Sequence, residues 1–311
     1  MRGNQTSQTS EFILLGLSDL TDFRIPVFLL FLFVYLAALV GNLLIIFLVV
    51  MDTHLQTPMY FFLGNLSTLD IFSPSVSTSH LPYDIFTGNR VILYSTCISQ
   101  VFFITWFAYT EILLLAVMSY DRYVAICHPL RYTTMISTYL CIQLASIIWV
   151  VGSLFSLAHT LSALSLVFCD STTIPGLFCE LYQVIQQSCA NTYLSDLLVL
   201  FLAINLGSIA LSITFLSYVY IFKTILRIRL KDGRVKAFST CSSHLTVVFI
   251  FYGTAFFNYF HPNTEEFPVG RLVSAVYTLL TPFLNPLIYS LRNSELKGAV
   301  RRALPRLTFR P

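Results

Sequence analysis

Seven apolar stretches alternate with short polar segments along this chain. Each is about the twenty residues that a helix needs to cross the hydrocarbon of a bilayer. They run from Pro26 to Met51, Pro58 to Leu81, Cys97 to Tyr120, Leu140 to Phe168, Tyr193 to Phe222, Phe238 to Phe260 and Leu272 to Leu291. The second is the weakest, interrupted by Asp70, Pro74 and a Ser/Thr-rich stretch. Such breaks survive in membrane helices where neighbouring helices or water satisfy the freed backbone groups. Most linkers are short, but Cys169 to Thr192 is long enough to fold over one mouth of a bundle. After Leu291, the segment Ser294 to Leu304 sets Leu296, Ala299, Val300 and Ala303 on one face and basic residues on the other. That pattern predicts a short helix lying along the membrane surface, which Pro305 should end. The fold expected is an all-α membrane protein, a single seven-transmembrane helix bundle with a short amphipathic C-terminal interfacial helix. Residues 1–25 are its N-tail, 26–291 the bundle and 292–311 the C-tail.

Composition agrees. The chain is 56% hydrophobic and only 11% charged, where a soluble domain carries roughly a quarter charged residues. Orientation follows from the basic residues. With the N-terminus outside, the inner segments hold Arg122, Arg131, Lys223, Arg227, Arg229, Lys231, Arg234 and Lys236. The C-tail adds Arg292, Lys297, Arg301, Arg302, Arg306 and Arg310, whereas the outer side holds only Arg2, Arg24, Arg90 and Arg271. This asymmetry obeys the positive-inside rule. The net charge of +3 therefore reflects a basic inner face, suited to anionic lipid and cytoplasmic partners rather than nucleic acid. Phe12 to Leu17 is too short for the h-region of a cleaved signal peptide, so the first helix should act as a signal-anchor. Asn4-Gln5-Thr6 is a glycosylation sequon on the expected outer side. Cys97, Cys169, Cys179 and Cys189 fall in outer segments, where disulfides persist. Four such cysteines allow three connectivities, and spacing does not choose among them.

The run Met118-Ser119-Tyr120-Asp121-Arg122-Tyr123-Val124-Ala125-Ile126-Cys127-His128-Pro129-Leu130-Arg131-Tyr132 places an acid-base-aromatic triplet at the end of an apolar segment. Charges at a membrane boundary are costly unless paired or hydrated, so they usually mark function. The run closely resembles the inner end of the third helix in odorant receptors, a group of rhodopsin-like G-protein-coupled receptors. Further motifs follow in order: Gly41-Asn42, Pro58-Met59-Tyr60-Phe61-Phe62-Leu63, Lys236-Ala237-Phe238-Ser239-Thr240-Cys241-Ser242-Ser243-His244 and Pro282-Phe283-Leu284-Asn285-Pro286-Leu287-Ile288-Tyr289. Together they look like the first, second, sixth and seventh helices of class II (terrestrial-type) odorant receptors. Ser119, where family members usually have Ala, and the Ser/Thr-rich region from Ser73 to Pro82 depart from the pattern.

The resemblance implies a receptor for small, mostly uncharged volatile ligands. It also implies a stimulatory, olfactory-type G protein as partner, cAMP as output, and the plasma membrane of olfactory cilia as location. It implies the disulfides Cys97–Cys179 and Cys169–Cys189. For signalling it implies Asp121, Arg122, Tyr123, Tyr218, His244 and Tyr289: Asp121 holds Arg122 at rest, and Tyr218 and Tyr289 stabilise the open arrangement after Arg122 turns toward the G protein. The ligand cavity should lie among the outer halves of the third, fifth, sixth and seventh helices. Ile104, Thr105, Ala108 and Ile112 share one helical face there. The resemblance adds Tyr109, Leu202, Leu206, Tyr252, Ala255, Phe256, Tyr259, Ala275 and Thr278, with Glu180 reaching in from the outer loop. Ile104 stands where amine receptors carry an aspartate, which argues against a monoamine ligand. His159 has no second ligand beside it, so it suits a core hydrogen bond better than a metal.

Asp70 and Glu111 are two acids deep in the membrane, and bare carboxylates there need a bridging cation or protons. Sodium is the expected ion, with Asn285 as a further oxygen ligand; no other cofactor is required. The chief alternative is an ion-coupled transporter using Asp70 and Glu111, although inverted repeats and broken helix pairs are missing from the sequence. A metabolite-sensing receptor expressed elsewhere is a variant of the leading reading. Nothing resembles an enzyme's nucleophile, base and orienter set.

Overall fold

In the computed structural model the backbone is described for residues 11–15, 24–82, 87, 90–169, 173–228, 231–260 and 268–308. Side chains at 24, 231–233, 235–237, 239–240, 255–260, 268–277, 291–292, 294 and 304–308 fall outside the description. The sequon Asn4 also lies outside the described residues.

Seven long helices follow in order: α1 (Arg24–Met51), α2 (Pro58–Ser77), α3 (Tyr94–Cys127), α4 (Thr138–Leu164), α5 (Tyr193–Arg227), α6 (Lys231–Phe260) and α7 (Pro268–Arg292). An eighth, α8 (Ser294–Thr308), follows at the inner end. By length and apolarity alone, the described parts of α1, α3, α4 and α5 qualify as membrane spans. In α2 the polar Asn65, Ser67, Thr68 and Asp70 dilute the apolar signal. The faces of α1, α4 and α5 that show Phe33, Val40, Leu154 and Phe201 are exposed, as a lipid-facing surface must be.

Local chemistry explains why α2 survives its proline. Pro58 sits in the first turn, where its missing N–H costs nothing. Pro74 lies inside the helix, and serine and threonine hydroxyls bond the carbonyls around it. Ser75 donates to the Ile71 carbonyl at 2.6 Å, Ser77 to Ser73 at 3.0 Å and Thr78 to Pro74 at 2.7 Å. The Ser/Thr-rich stretch is therefore part of how this helix ends, and the helix reaches Ser77 rather than Leu81. Ser119 similarly donates to the Leu115 carbonyl at 2.8 Å, beside Thr214 of α5.

Helix α3 packs against α2, α4 and α5. Hydrogen bonds tie its neighbours: Trp149 Nε1 donates to Asn65 Oδ1 at 3.0 Å, Trp106 Nε1 to the Trp149 carbonyl at 3.0 Å, and Asn42 Nδ2 to the Pro282 carbonyl at 3.0 Å. Gly152 allows α4 to close on α3, because a Cβ there would overlap Thr110 Oγ1.

The end of the bundle beside the N-tail holds a feature that the apolar pattern does not predict. Strand β1 (Glu11–Leu14), from the N-tail, is the middle of a three-stranded sheet. It pairs antiparallel with β2 (Val91–Leu93) and parallel with β3 (Thr173–Ile174). Phe12, Leu14, Ile92 and Ile174 are fully buried beneath it. Both disulfides, Cys97–Cys179 and Cys169–Cys189, are formed.

On the inner side, α8 continues through Pro305 to Thr308, beyond its expected stop. A proline so near a helix end forfeits one hydrogen bond, to the carbonyl four residues back, and leaves the rest of the helix paired. Leu296 and Ala299 are buried, and Arg302 bonds Asp52 at 2.7 and 2.9 Å. The Arg302 hydrogen bond, with one from the His54 backbone, holds the Asp52 carboxyl down at about 2. Its contribution to holding α8 is thus complete above the ordinary carboxylate range and lost only as pH falls toward that value.

Gly152→Ala should lower the thermal midpoint of the purified receptor, consistent with about 1–3 kcal/mol of overpacking between α3 and α4. Gly207→Ala, where a Cβ meets nothing within 4 Å, should leave the midpoint unchanged or raise it slightly.

Candidate functional site

The site has an outer wall, an acid floor and an inner cluster, all organised on α3. Ile104, Thr105, Ala108 and Ile112 fall on successive turns of that helix and are half-buried. Ile104 and Ala108 line one small cavity with Thr278, Thr281 and Pro282 of α7 and with Asp70, Ser73 and Glu111. Its volume of about 20 Å³ suits one water or ion. The wall and the acid pair, separate expectations from sequence, therefore share one void.

Other expected wall residues are placed differently. Tyr109 turns toward α4: its hydroxyl lies 2.7 Å from His159 Nε2, with the two rings stacked. His159 is fully buried in that contact. Leu206 is buried and Leu202 half-buried on α5. Tyr252 packs edge-on against Phe251 and faces Thr214. Glu180 precedes the short loop helix Leu181–Gln186 and is not among the residues lining the small cavity. The side chains of Ala255, Phe256, Tyr259 and Ala275 lie outside the described residues. A larger groove, about 680 Å³, opens toward lipid between α4 and α5 and touches none of the expected wall positions.

At the floor, Asn285 Nδ2 donates to both Asp70 oxygens, at 2.9 and 3.1 Å. Asn285 therefore offers Asp70 its nitrogen, where sequence reasoning expected its oxygen to face an ion. Glu111 Oε1 is buried without a hydrogen-bond partner. A buried acid oxygen so placed is costly unless a proton or cation meets it. Among the described residues, no three or more His, Cys, Asp or Glu gather to hold a metal. Two carboxylic acids and the hydroxyl-bearing Ser73 and Thr281 line the cavity, an oxygen-rich set that suits a hard cation better than a soft transition metal.

The inner cluster gives Asp121 a partner that the sequence did not point to. Asp121 accepts a hydrogen bond from the Tyr132 hydroxyl at 2.8 Å, and no ion pair within 4.0 Å joins it to Arg122. Neighbouring residues on a helix do not face each other. Asp121 is 1% exposed and turns toward the inner loop, where Pro129–Arg131 and the single turn Tyr132–Met135 bring the phenol to it. Burial, with Asp121 alongside, pushes the Tyr132 hydroxyl above its ordinary range, so it remains a proton donor. Arg122 keeps a buried Nε with no partner. Around it, Tyr218 OH lies 2.7 Å from His244 Nδ1, while the fully buried Tyr289 hydroxyl has no partner. Tyr123 faces away, 3.1 Å from His128 Nε2. Tyr132 closes the run that carries the resemblance, but the sequence assigned it no role; its bond to Asp121 depends on the fold of the loop between them. Sequence reasoning missed Leu177 and Phe178, buried in the outer loop against Ile104.

This arrangement defines a seven-helix membrane receptor of the rhodopsin type. The crystal structure of squid rhodopsin superposes with a TM-score of 0.68 at 17% identity, covering 89% of this chain and 84% of that one. The sequence pattern of the family described as "Olfactory receptor" matches residues 31–306. Human "Olfactory receptor 10C1" is 47% identical over 96% of both chains. Human "Olfactory receptor 7C1" is 44% identical over 99% of this chain and 96% of that one, and mouse "Olfactory receptor 1M1" is 44% identical over 97% of both. The chain belongs to the olfactory receptor family. It is a multi-pass plasma-membrane signalling receptor and not an enzyme.

Tyr132→Phe should release Asp121 to Arg122 and lower both basal and agonist-driven signalling, measured as second-messenger output at equal surface level. Unchanged output would show that the 2.8 Å bond does not govern Arg122.

Proposed function

We propose that this receptor binds a small, mostly uncharged volatile among α3, α5, α6 and α7 and activates a stimulatory, olfactory-type G protein to raise cAMP. The carrying observation is the shared void: Ile104, Ala108 and Thr278 open on the same cavity as Asp70 and Glu111. A ligand seated above that cavity bears directly on the contacts that join α2, α3 and α7. Differential affinity for the open arrangement shifts a resting-active equilibrium. Arg122 then leaves its pocket, and Tyr218 and Tyr289 hold the opened inner ends of α5 and α7. Apolar and aromatic walls with a few hydroxyls favour neutral ligands, and Ile104 gives an ammonium no counter-ion.

The N-terminus faces outside, as the basic residues of the inner loops and α8 require, and olfactory cilia are the site of action. Lys223, Arg227 and the basic start of α6 meet the G protein. Sodium sits between Asp70 and Glu111, where its positive charge would relieve the repulsion of two buried carboxylates. Asn285 joins as a ligand when its amide turns its oxygen inward.

In cells supplied with the olfactory-type G protein, neutral volatiles should raise cAMP in a dose-dependent way. Arg122→Ala at matched surface level should abolish the rise. A wild type that reaches the surface yet stays silent to a broad panel would overturn the ligand class or the G-protein assignment. For the ion, sodium should raise the thermal midpoint of purified receptor over choline at equal ionic strength, and Glu111→Gln should remove that difference. Equal midpoints in the wild type would leave protons as the partners of the pair.

A further inference from the structure

The N-tail strand has no counterpart in the ligand-site residues expected from sequence, yet the structure connects it to them. Strand β1 is the central strand of the outer sheet, so removing it leaves β2 and β3 without a common partner. Its inward side chains, Phe12 and Leu14, are fully buried. The Phe12 ring sits edge-on to Phe168 with centroids 5.2 Å apart and lies 5.8 Å from Tyr94 at the top of α3. The far side of the sheet is β3, whose Ile174 pairs with Leu14 and accepts a hydrogen bond from Leu15 N at 2.9 Å.

Immediately after β3 the chain passes through residues 175–178 to Cys179. That end is fixed twice, by the disulfide to Cys97 and by the Cys179 N–H, which donates to Gln100 Oε1 at 3.1 Å. Gln100 is itself anchored, donating through Nε2 to the Val76 carbonyl and to Ser79 Oγ, both at 3.2 Å. The segment is thus held at one end by α3 and the end of α2, and at the other by the pairing of β3 with β1 and by Ile174, packed in one apolar cluster with Phe12, Leu14 and Ile92. Between these anchors Gly176 presses against Gln183, where any Cβ would overlap the amide. Leu177 and Phe178 turn inward, 8% and 4% exposed, and pack with Leu81, Phe31 and Ile104. Ile104 also lines the small cavity above the acid pair.

We infer that β1 is a positioning element of the ligand site: it holds Leu177 and Phe178 as a roof against Ile104 and so sets the length of ligand that fits beneath. This rests on the ligand-site reading above. The roof residues touch the ligand; the strand acts through them. Because ligands one methylene apart differ in affinity for an apolar site by about tenfold or more, a roof that lifts moves the preferred ligand length rather than merely weakening every response.

The test uses the full-length receptor with straight-chain alcohols and aldehydes of increasing length. Potency is read for each, at surface levels matched across variants. Phe178→Ala should move the best ligand to a longer chain. Ile13→Pro disrupts the ladder at a residue whose side chain is 44% exposed, and it should move the optimum in the same direction. The double variant should shift it no further than the larger single change, because both act on one roof. If Ile13→Pro is retained inside the cell, Leu14→Val, which trims the buried face of the strand, carries the same expectation. A wild type that responds, with β1 variants that keep its length preference, overturns the strand's role and leaves the ligand-site reading intact. A wild type silent to every chain length, at full surface level, overturns both.

Discussion

Lipid offers no hydrogen bonds, and this constraint organises the molecule. Inside the bilayer every backbone and side-chain polar group must find its partner in the protein. The helices answer with short, specific exchanges. Asn65 accepts from Trp149, whose carbonyl accepts from Trp106, joining α2, α3 and α4. Asn42 reaches the carbonyl of Pro282, which Pro286 four residues on has no N–H to bond, and Asn285 donates to Asp70. Hydroxyls along α2 absorb the disturbance of Pro74. Apolar packing fills the space between these bonds, but the bonds decide which faces meet, because lipid tails solvate Leu and Phe as well as a neighbouring helix does.

The places where this rule is left unmet are informative. Glu111 Oε1, Arg122 Nε, His244 Nε2 and the Tyr289 hydroxyl are buried without partners. They follow α3 from the small cavity to the inner ends of α6 and α7. Buried unsatisfied groups are costly, and each needs an explanation. In the resting-active equilibrium proposed above, they are groups that the other state would pair, and their cost would be part of the bias that a ligand tips. Asn42 Oδ1 and His159 Nδ1 are unpaired as well, off this line, and the same account does not cover them.

Much of this was readable from the chain. The seven apolar stretches and the triplet at 121–123 needed only hydropathy and motif spacing, because lipid imposes a strong, local signal on sequence. The amphipathic pattern of 294–304 marked α8 for the same reason, although Pro305 proved too close to its end to stop it. What stayed hidden depended on contacts distant in sequence. Glu11 to Leu14 has a strand's alternation, but four residues are too few to be recognised without the partners that residues 91–93 and 173–174 supply. Tyr109 lies on the helix that carries the wall residues, yet its hydroxyl goes to His159 on α4. Asp121 and Arg122 are adjacent in the chain, and adjacency on a helix turns them apart; the phenol of Tyr132 takes the carboxylate instead.

The central claim is that the unpartnered inner groups belong to the active arrangement. Agonist-driven nucleotide exchange by purified receptor carrying Tyr289→Phe, in a bilayer with the stimulatory G protein, tests it most directly. Because the hydroxyl makes no hydrogen bond in this structure, removing it should leave the ligand-free fold at least as stable as the wild type. Exchange should nevertheless fall several-fold. Wild-type exchange from an equally stable variant would contradict the claim, as would a loss of stability that accounts for the lost exchange.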